Sequence, residues 1–454
     1  MGADMLIEGG LVWQESRGFT RSDVVVQGEK IAAVVRPGEA SAGKARRIDA
    51  SGLHVVPGLI DPHVHLRDPG LTDKEDFFTG TRAAAAGGVT MVLDMPNTIP
   101  VPNTLEAFLA HRENAAAKAV VDFNHWASPT RPDEVQTIAA AGAAGFKFFM
   151  IGGAYPYDDP DVVIPMSDPG RIHKVMTAVA DTGRLCLVHP HNDALWHAVR
   201  GPYLEERHTT PADWAQAQAF AGSANQISSI ALLLVLAKAT GCRLQVLHIN
   251  SPAIIEFVRA MKGAGYIATY EQNPSAVFGY GRWSGPSTDP RVIEALIDGT
   301  IDVIGSDHAP HLPAEVARGD ENAFDSVGEG MAILEYMLSL YLTEISGHGP
   351  LHLHRLIELL STNAAKAIGV YPRKGTILPG SDADLTLIDL KAERTISAER
   401  LYTKCAYTPY EGRKVIGAPV VTIVRGQVVM KHGEVVDTPG CGQFIAPLSA
   451  GTSW

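Results

Sequence analysis

The sequence predicts an α/β fold, a TIM (β/α)8 barrel carrying a small β-sandwich domain formed from both termini. Three features predict it: eight short apolar runs alternating with amphipathic stretches between about residues 55 and 370, glycines standing just ahead of those runs, and β-type segments confined to the two ends. A chain of 454 residues has room for such a barrel and an appendage.

The eight strand candidates begin at Val55 (VVPGLIDPHVHL), Val89 (VTMVLDM), Val120 (VVDFNHW), Gly145 (GFKFFMI), Arg184 (RLCLVHP), Arg243 (RLQVLHI), Tyr266 (YIATYEQ) and Ile301 (IDVIGSDH). Helices lie between them. Ile172, Val175, Met176 and Val179 follow an i, i+3, i+4, i+7 spacing behind Asp168-Pro169, a cap with a first-turn proline, and Ile254, Phe257, Val258 and Met261 repeat the spacing. Gly88, Gly145, Gly183, Gly241, Gly265 and Gly299 stand where an αβ loop needs a left-handed residue. Residues 191–225, long, polar and proline-containing, are expected to form a loop or lid above the barrel. Segments such as DVVVQGEKIAAVV and PVVTIVRGQVVMKHGEVV cannot bury a core separately. Residues 1–54 and 375–454 are therefore expected to form one domain, with 55–374 as the barrel.

Composition limits the function. With 38 basic and 50 acidic side chains the formal charge is −12, the wrong sign for binding nucleic acid or an anionic membrane. There is no basic-then-apolar leader and no run of 18 uninterrupted apolar residues, so a cytoplasmic protein is expected. Cys186, Cys242, Cys405 and Cys441 make no CxxC pair, which leaves histidine, carboxylate or something rarer as the ligands of any metal.

In a barrel, chemistry belongs at the carboxyl ends of the strands. His63 and His65 close the first strand at i, i+2 and share a face, as two ligands of one divalent metal would. Lys147 lies inside an apolar strand, where an ammonium must shed its hydration or lose its proton. A neutral amine there could take up carbon dioxide and become an anionic oxygen ligand. A lone buried lysine is more often salt-bridged, and a lone strand-end histidine is usually a satisfied core residue. Here His189 and His248 end consecutive strands, and Asp307 ends the eighth. Together, His63, His65, Lys147, His189, His248 and Asp307 fit two first-row divalent ions around a shared oxygen, with hydroxide as the nucleophile. The histidines His54, His111, His173, His352 and His354 are read as surface residues.

The motifs DPHVHLRDPG, AAAAGGVTMVLDMPNT, GFKFFM, LHIN, GSDHAPH and GTILPGSDADLTLID resemble those of the cyclic amidohydrolases: dihydroorotase, allantoinase and hydantoinase/dihydropyrimidinase. The resemblance runs from about Gly58 to Asp389. It implies two zinc ions, His63, His65 and Asp307 on one, His189 and His248 on the other, and carbamylated Lys147 bridging them. It also implies hydrolysis of a ring amide, with Asp307 as the proton carrier. A small cyclic amide is then the expected partner, and the chain is expected to form a homo-oligomer, tetramer or dimer.

Arg67, Asn97 and His311 match the positions of the dihydroorotase carboxylate clamp, which suits an acidic ring. Ser284 matches a hydantoinase serine, whereas their oxyanion tyrosine is Gly152 here, with Tyr155 and Tyr157 as possible substitutes. His191 stands where relatives carry an acid. The alternatives are a hydantoinase, dihydropyrimidinase, allantoinase or cyclic imide hydrolase acting on a neutral ring. A non-catalytic dihydropyrimidinase-related scaffold is the remote alternative, disfavoured because every ligand position is filled.

Overall fold

The structure, a computed structural model, describes residues 3–40, 43–151, 160–279, 286–324, 330–347, 349, 351–436 and 438–448, apart from the side chains of 219–222 and 320. Eight parallel strands pair in sequence order: β1 (Leu59–Val64), β2 (Val89–Asp94), β3 (Asp122–Ala127), β4 (Gly145–Phe149), β5 (Leu185–His189), β6 (Arg243–Val246), β7 (Thr269–Gln272) and β8 (Val303–Ile304). The ring is completed at the carboxyl ends of β1 and β8, where His65 N donates to His308 O at 2.7 Å and Val64 bridges His308 in parallel. This is the expected α/β barrel.

The helices form where spacing and caps direct them. In the helix Pro169–Ala180, Asp168 caps Arg171 N while Ile172, Val175, Met176 and Val179 are buried. In Pro252–Gly263, Ser251 caps Ile254 N, and Ile254, Ile255 and Val258 turn inward. Of the six glycines, Gly88, Gly183, Gly241, Gly265 and Gly299 have φ between 66° and 84°. Gly145 differs, because it lies inside β4 and its missing Cβ lets the backbone of Leu185 approach.

Two expectations are corrected. The apolar run from Val55 divides at Gly58, so His54–Pro57 joins the terminal sheet and only Leu59–Val64 joins the barrel. Residues 191–225 are largely helical, in Asp193–Glu205 and the first half of Pro211–Thr240. Asn192 caps the first helix, and Thr210 and Asp213 form a reciprocal capping box at the second. Trp196 and Trp214 of these helices pack with Ala323 and Phe324. One stretch, Ser223–Thr240, is long and apolar enough by length and composition to cross a membrane. Its Ile230, Leu233, Leu234 and Ala237 are buried in the main apolar cluster, as an outer helix of a barrel requires.

Both termini build a separate nine-stranded mixed sheet. His54–Pro57 lies within it, parallel to Met5–Gln14 and antiparallel to Leu385–Thr395, with Val55 opposite Leu387. Met5, Ile7, Val24, Val55, Leu385 and Ile423 share a cluster of their own.

Candidate metal centre

The strand ends of β1 and β8 are fastened together by Asp61. One carboxylate oxygen of this buried residue accepts from His63 N at 3.1 Å and from Ser306 N at 3.0 Å. Two-residue alternation then sends the His63 and His65 side chains to the same side. Asp307 and His248 meet them with φ of 53° and 57°, a left-handed backbone that costs a non-glycine residue about 1–3 kcal/mol and is typical of functional sites.

Asp307 is where the side chains converge. Its Oδ1 lies 3.2 Å from His63 Nε2 and 3.3 Å from His65 Nε2, and its Oδ2 lies 3.2 Å from His248 Nε2. Each of the first two imidazoles is held from behind. His63 Nδ1 is 2.6 Å from Glu271 Oε1, and His65 Nδ1 is 2.6 Å from Asn97 Oδ1. These acceptors hold a ring proton on Nδ1, so that in the neutral ring each Nε2 presents a lone pair to a carboxylate. Such facing lone pairs call for a cation between them. Four ligand atoms about 2.0–2.1 Å from one ion sit about 3.3 Å apart, which is the spacing found here.

The electrostatics agree. Burial alone would lower the His63 pKa, yet Glu271 and Asp307 raise it to about 9, so positive charge at this ring is favoured. Burial pushes His65 down to about 3. Burial would raise Asp307, but His63 and His248 hold it well below the usual carboxylate range. His189 ends β5 with its ring centroid 4.6 Å from that of His248, and burial, then His248 and Lys147, keep it neutral. Lys147 is wholly buried in β4, 4.3 Å from the Phe149 ring centroid, and among the described residues its Nζ has no hydrogen-bond partner. Burial lowers its pKa to about 7 against the pull of Glu271 and Asp307. The donor set and the orphaned, deprotonatable amine both fit a metal site whose lysine becomes an anionic ligand.

Beside this centre, Arg67 is buried, with Nε donating to Pro310 O at 3.3 Å and Nη2 lying 3.5 Å from His311 Nε2. Asp68 and Asp76, two acids near it in sequence, serve elsewhere. Asp68 binds Lys118 and Asn114, and Asp76 caps the helix Phe77–Ala86 and binds Lys404. Among the described residues no carboxylate lies within ion-pair distance of Arg67. Asn97 touches His65, while Ser284, Gly152, Tyr155 and Tyr157 lie outside the described residues.

The amidohydrolase family model matches residues 54–429. The chain belongs to the amidohydrolase family. It is 32% identical to an L-hydantoinase of Paenarthrobacter aurescens, with 95% of each chain covered. It is also 32% identical to a dihydroorotase of Lactobacillus gasseri (94% of this chain, 99% of the other) and to an allantoinase of Rubrobacter xylanophilus (98% of each). A solved structure of L-hydantoinase (dihydropyrimidinase) from Arthrobacter aurescens superposes with a TM-score of 0.88 at 31% identity, covering 98% of this chain and 100% of that one. The protein is a metal-dependent amidohydrolase of the cyclic-amide group.

Sequence reasoning missed several residues of this amidohydrolase site. Glu271, in TYEQ, is fully buried, and its role shows only once the barrel brings it to His63. Asp61 precedes the HxH pair, and Asn273 Nδ2 donates to Asp307 Oδ2 at 3.2 Å. His111, expected at the surface, is buried, with Nε2 3.0 Å from Pro100 O. His191 lies 3.2 Å from Asp193, so the acid of this loop sits two residues later in sequence.

Proposed function

We propose that this amidohydrolase is a dinuclear zinc enzyme that opens an acidic cyclic amide, in the manner of a dihydroorotase. His63, His65 and Asp307 would hold one ion, His189 and His248 the other, and carbamylated Lys147 both. The observation that carries the reading is the meeting of three imidazole nitrogens on the Asp307 carboxylate within 3.3 Å. Bound zinc would make water acidic enough to ionise near neutral pH and would polarise the scissile carbonyl.

The protein's own groups do the rest. The neutral Lys147 Nζ adds to the carbon of carbon dioxide, forming an N–C bond and releasing a proton. Glu271 and Asn97 fix the rings of His63 and His65 through Nδ1, so that only Nε2 faces the reaction. Asp307, kept ionised by its histidines, receives the proton of the attacking water and returns it to the ring nitrogen as the C–N bond breaks. Arg67, with no carboxylate at ion-pair distance among the described residues and with His311 Nε2 3.5 Å from its Nη2, supports the choice of an anionic ring.

The test is a panel of dihydroorotate, dihydrouracil, hydantoin, allantoin and simple cyclic imides, assayed after chelation and after return of zinc with bicarbonate. Activity should vanish and recover; full turnover by metal-free protein would overturn the metal assignment. Arg67→Met should impair the acidic ring selectively. Equal loss on every ring, or turnover of neutral rings alone, would favour the second reading, a hydantoinase, allantoinase or imide hydrolase, which rests on the likeness to the L-hydantoinase structure.

A further inference from the structure

Arg67 is not the only buried cation beside the centre. Lys74, 1% exposed, lies in the same loop after β1, and its Nζ is 2.8 Å from Glu315 Oε1. Glu315 is also buried, on the helix Pro313–Glu321 that follows β8, and its Oε2 lies 3.4 Å from His311 Nδ1. One carboxylate thus faces Lys74 with one oxygen and His311 with the other. On the opposite edge of the imidazole, Nε2 faces Arg67 at 3.5 Å. The ring also lies against Gly330, where a Cβ would come within 2.6 Å of Nε2.

We propose that Glu315 is a positioning residue that makes His311 and Arg67 a joint receptor for a carboxylate, by drawing the Nδ1 proton to itself and supporting a second proton on Nε2 when the anion enters. This rests on the acidic-ring reading above. Burial, reinforced by Arg67 and Lys74 and opposed by Glu315, pushes His311 down to about 4. At neutral pH Nε2 is therefore a lone pair, which repels a carboxylate oxygen. An arriving carboxylate adds negative charge beside the ring and turns it into a donor by uptake of one proton from solvent. Glu315, the charged neighbour that opposes Arg67 and Lys74, is needed for that change. Its first-turn contact with Leu312 N, at 3.0 Å, is an ordinary helix cap that glutamine would also supply. Glu315→Gln therefore separates capping from charge.

The experiment is titration calorimetry of the zinc-loaded protein with orotate, a planar cyclic carboxylate, at pH 7 in buffers of differing ionisation enthalpy. The wild type should bind with uptake approaching one proton. Glu315→Gln should bind about tenfold more weakly and take up none, the change expected when the negative charge that favours the protonated ring is removed and its pKa falls by about one unit. His311→Asn should abolish uptake by itself, and Glu315→Gln should add nothing in that background. Should Glu315→Gln fail to fold, His311→Asn decides: uptake that persists in it overturns the proposal. Unchanged affinity and uptake in a folded Glu315→Gln make Glu315 a cap alone and leave the acidic-ring reading standing. Failure of the wild type to bind orotate overturns both.

Discussion

At Lys147 a single side chain shows which of two electrostatic costs is smaller. An ammonium without a partner inside β4 would forfeit several kcal/mol of hydration, whereas the neutral amine forfeits little and can be converted to a carbamate that bound cations offset. Lys147→Ala should remove more activity than the 10–100-fold typical of a group supporting a metal ligand, because it removes a ligand itself. Short carboxylic acids should restore part of it by supplying oxygen donors, and failure of every such acid together with an unaltered metal content would sink the bridging role. The pH dependence has a definite sign. With its pKa lowered to about 7, the amine is neutral above that pH and protonated below it. The carbamate carbon signal of protein equilibrated with labelled bicarbonate should therefore fade as pH falls below 7. The side chains expected at strand ends were legible because position in an apolar run is a local property. Glu271 was not, since its partner His63 lies 208 residues away and only the closed barrel brings them together.

At the scale of elements, the site depends on how closely β7, β8 and β1 approach. Gly305 follows the two-residue β8, and a Cβ there would lie 2.8 Å from both the Glu271 carboxyl group and His63 Cβ. Gly305→Ala should displace the Glu271–His63 pair and cost 10–100-fold in metal affinity while the barrel stays folded. Dialysis against graded chelator, read by metal content beside far-ultraviolet circular dichroism, checks this; wild-type metal retention would show that the pair tolerates the shift. The order of strands and helices was readable from periodicity and from glycines such as Gly183 and Gly265. Residues 191–225 were misread for a definable reason. Their cap signals at Asn192 and at Thr210-Pro211-Ala212-Asp213 were present, but Pro202 inside the first helix and a polar outer face obscured the helical period.

The whole molecule is held together at the end of the barrel away from the metal centre. Asp122 opens β3, while Asp382 and Asp384 precede the strand Leu385–Thr395 of the terminal sheet. Lys374, 1% exposed, contacts all three carboxylates, Arg425 contacts Asp122, and Lys30 and Arg373 reach Asp382. The three carboxylates could by spacing alone hold a metal, but these cations already neutralise them. The cluster therefore works as a clasp between sheet and barrel. Lys374→Met would leave buried carboxylates undercompensated, and removing one partner of a buried pair destabilises by about 3–5 kcal/mol. The acid limb should move as well. Burial would raise Asp382, yet Lys374, Lys30 and Arg373 hold it below its ordinary value. A depressed carboxylate contributes stability that is complete above its unfolded pKa of about 3.9 and is lost as pH falls through the folded value. Without Lys374 the folded value rises, so acid unfolding followed by tryptophan fluorescence should begin at higher pH. Activity per folded molecule at neutral pH should change little, because the clasp and the metal centre occupy opposite ends of the strands. A variant that melts and acid-unfolds like the wild type would instead assign the union of sheet and barrel to apolar contacts.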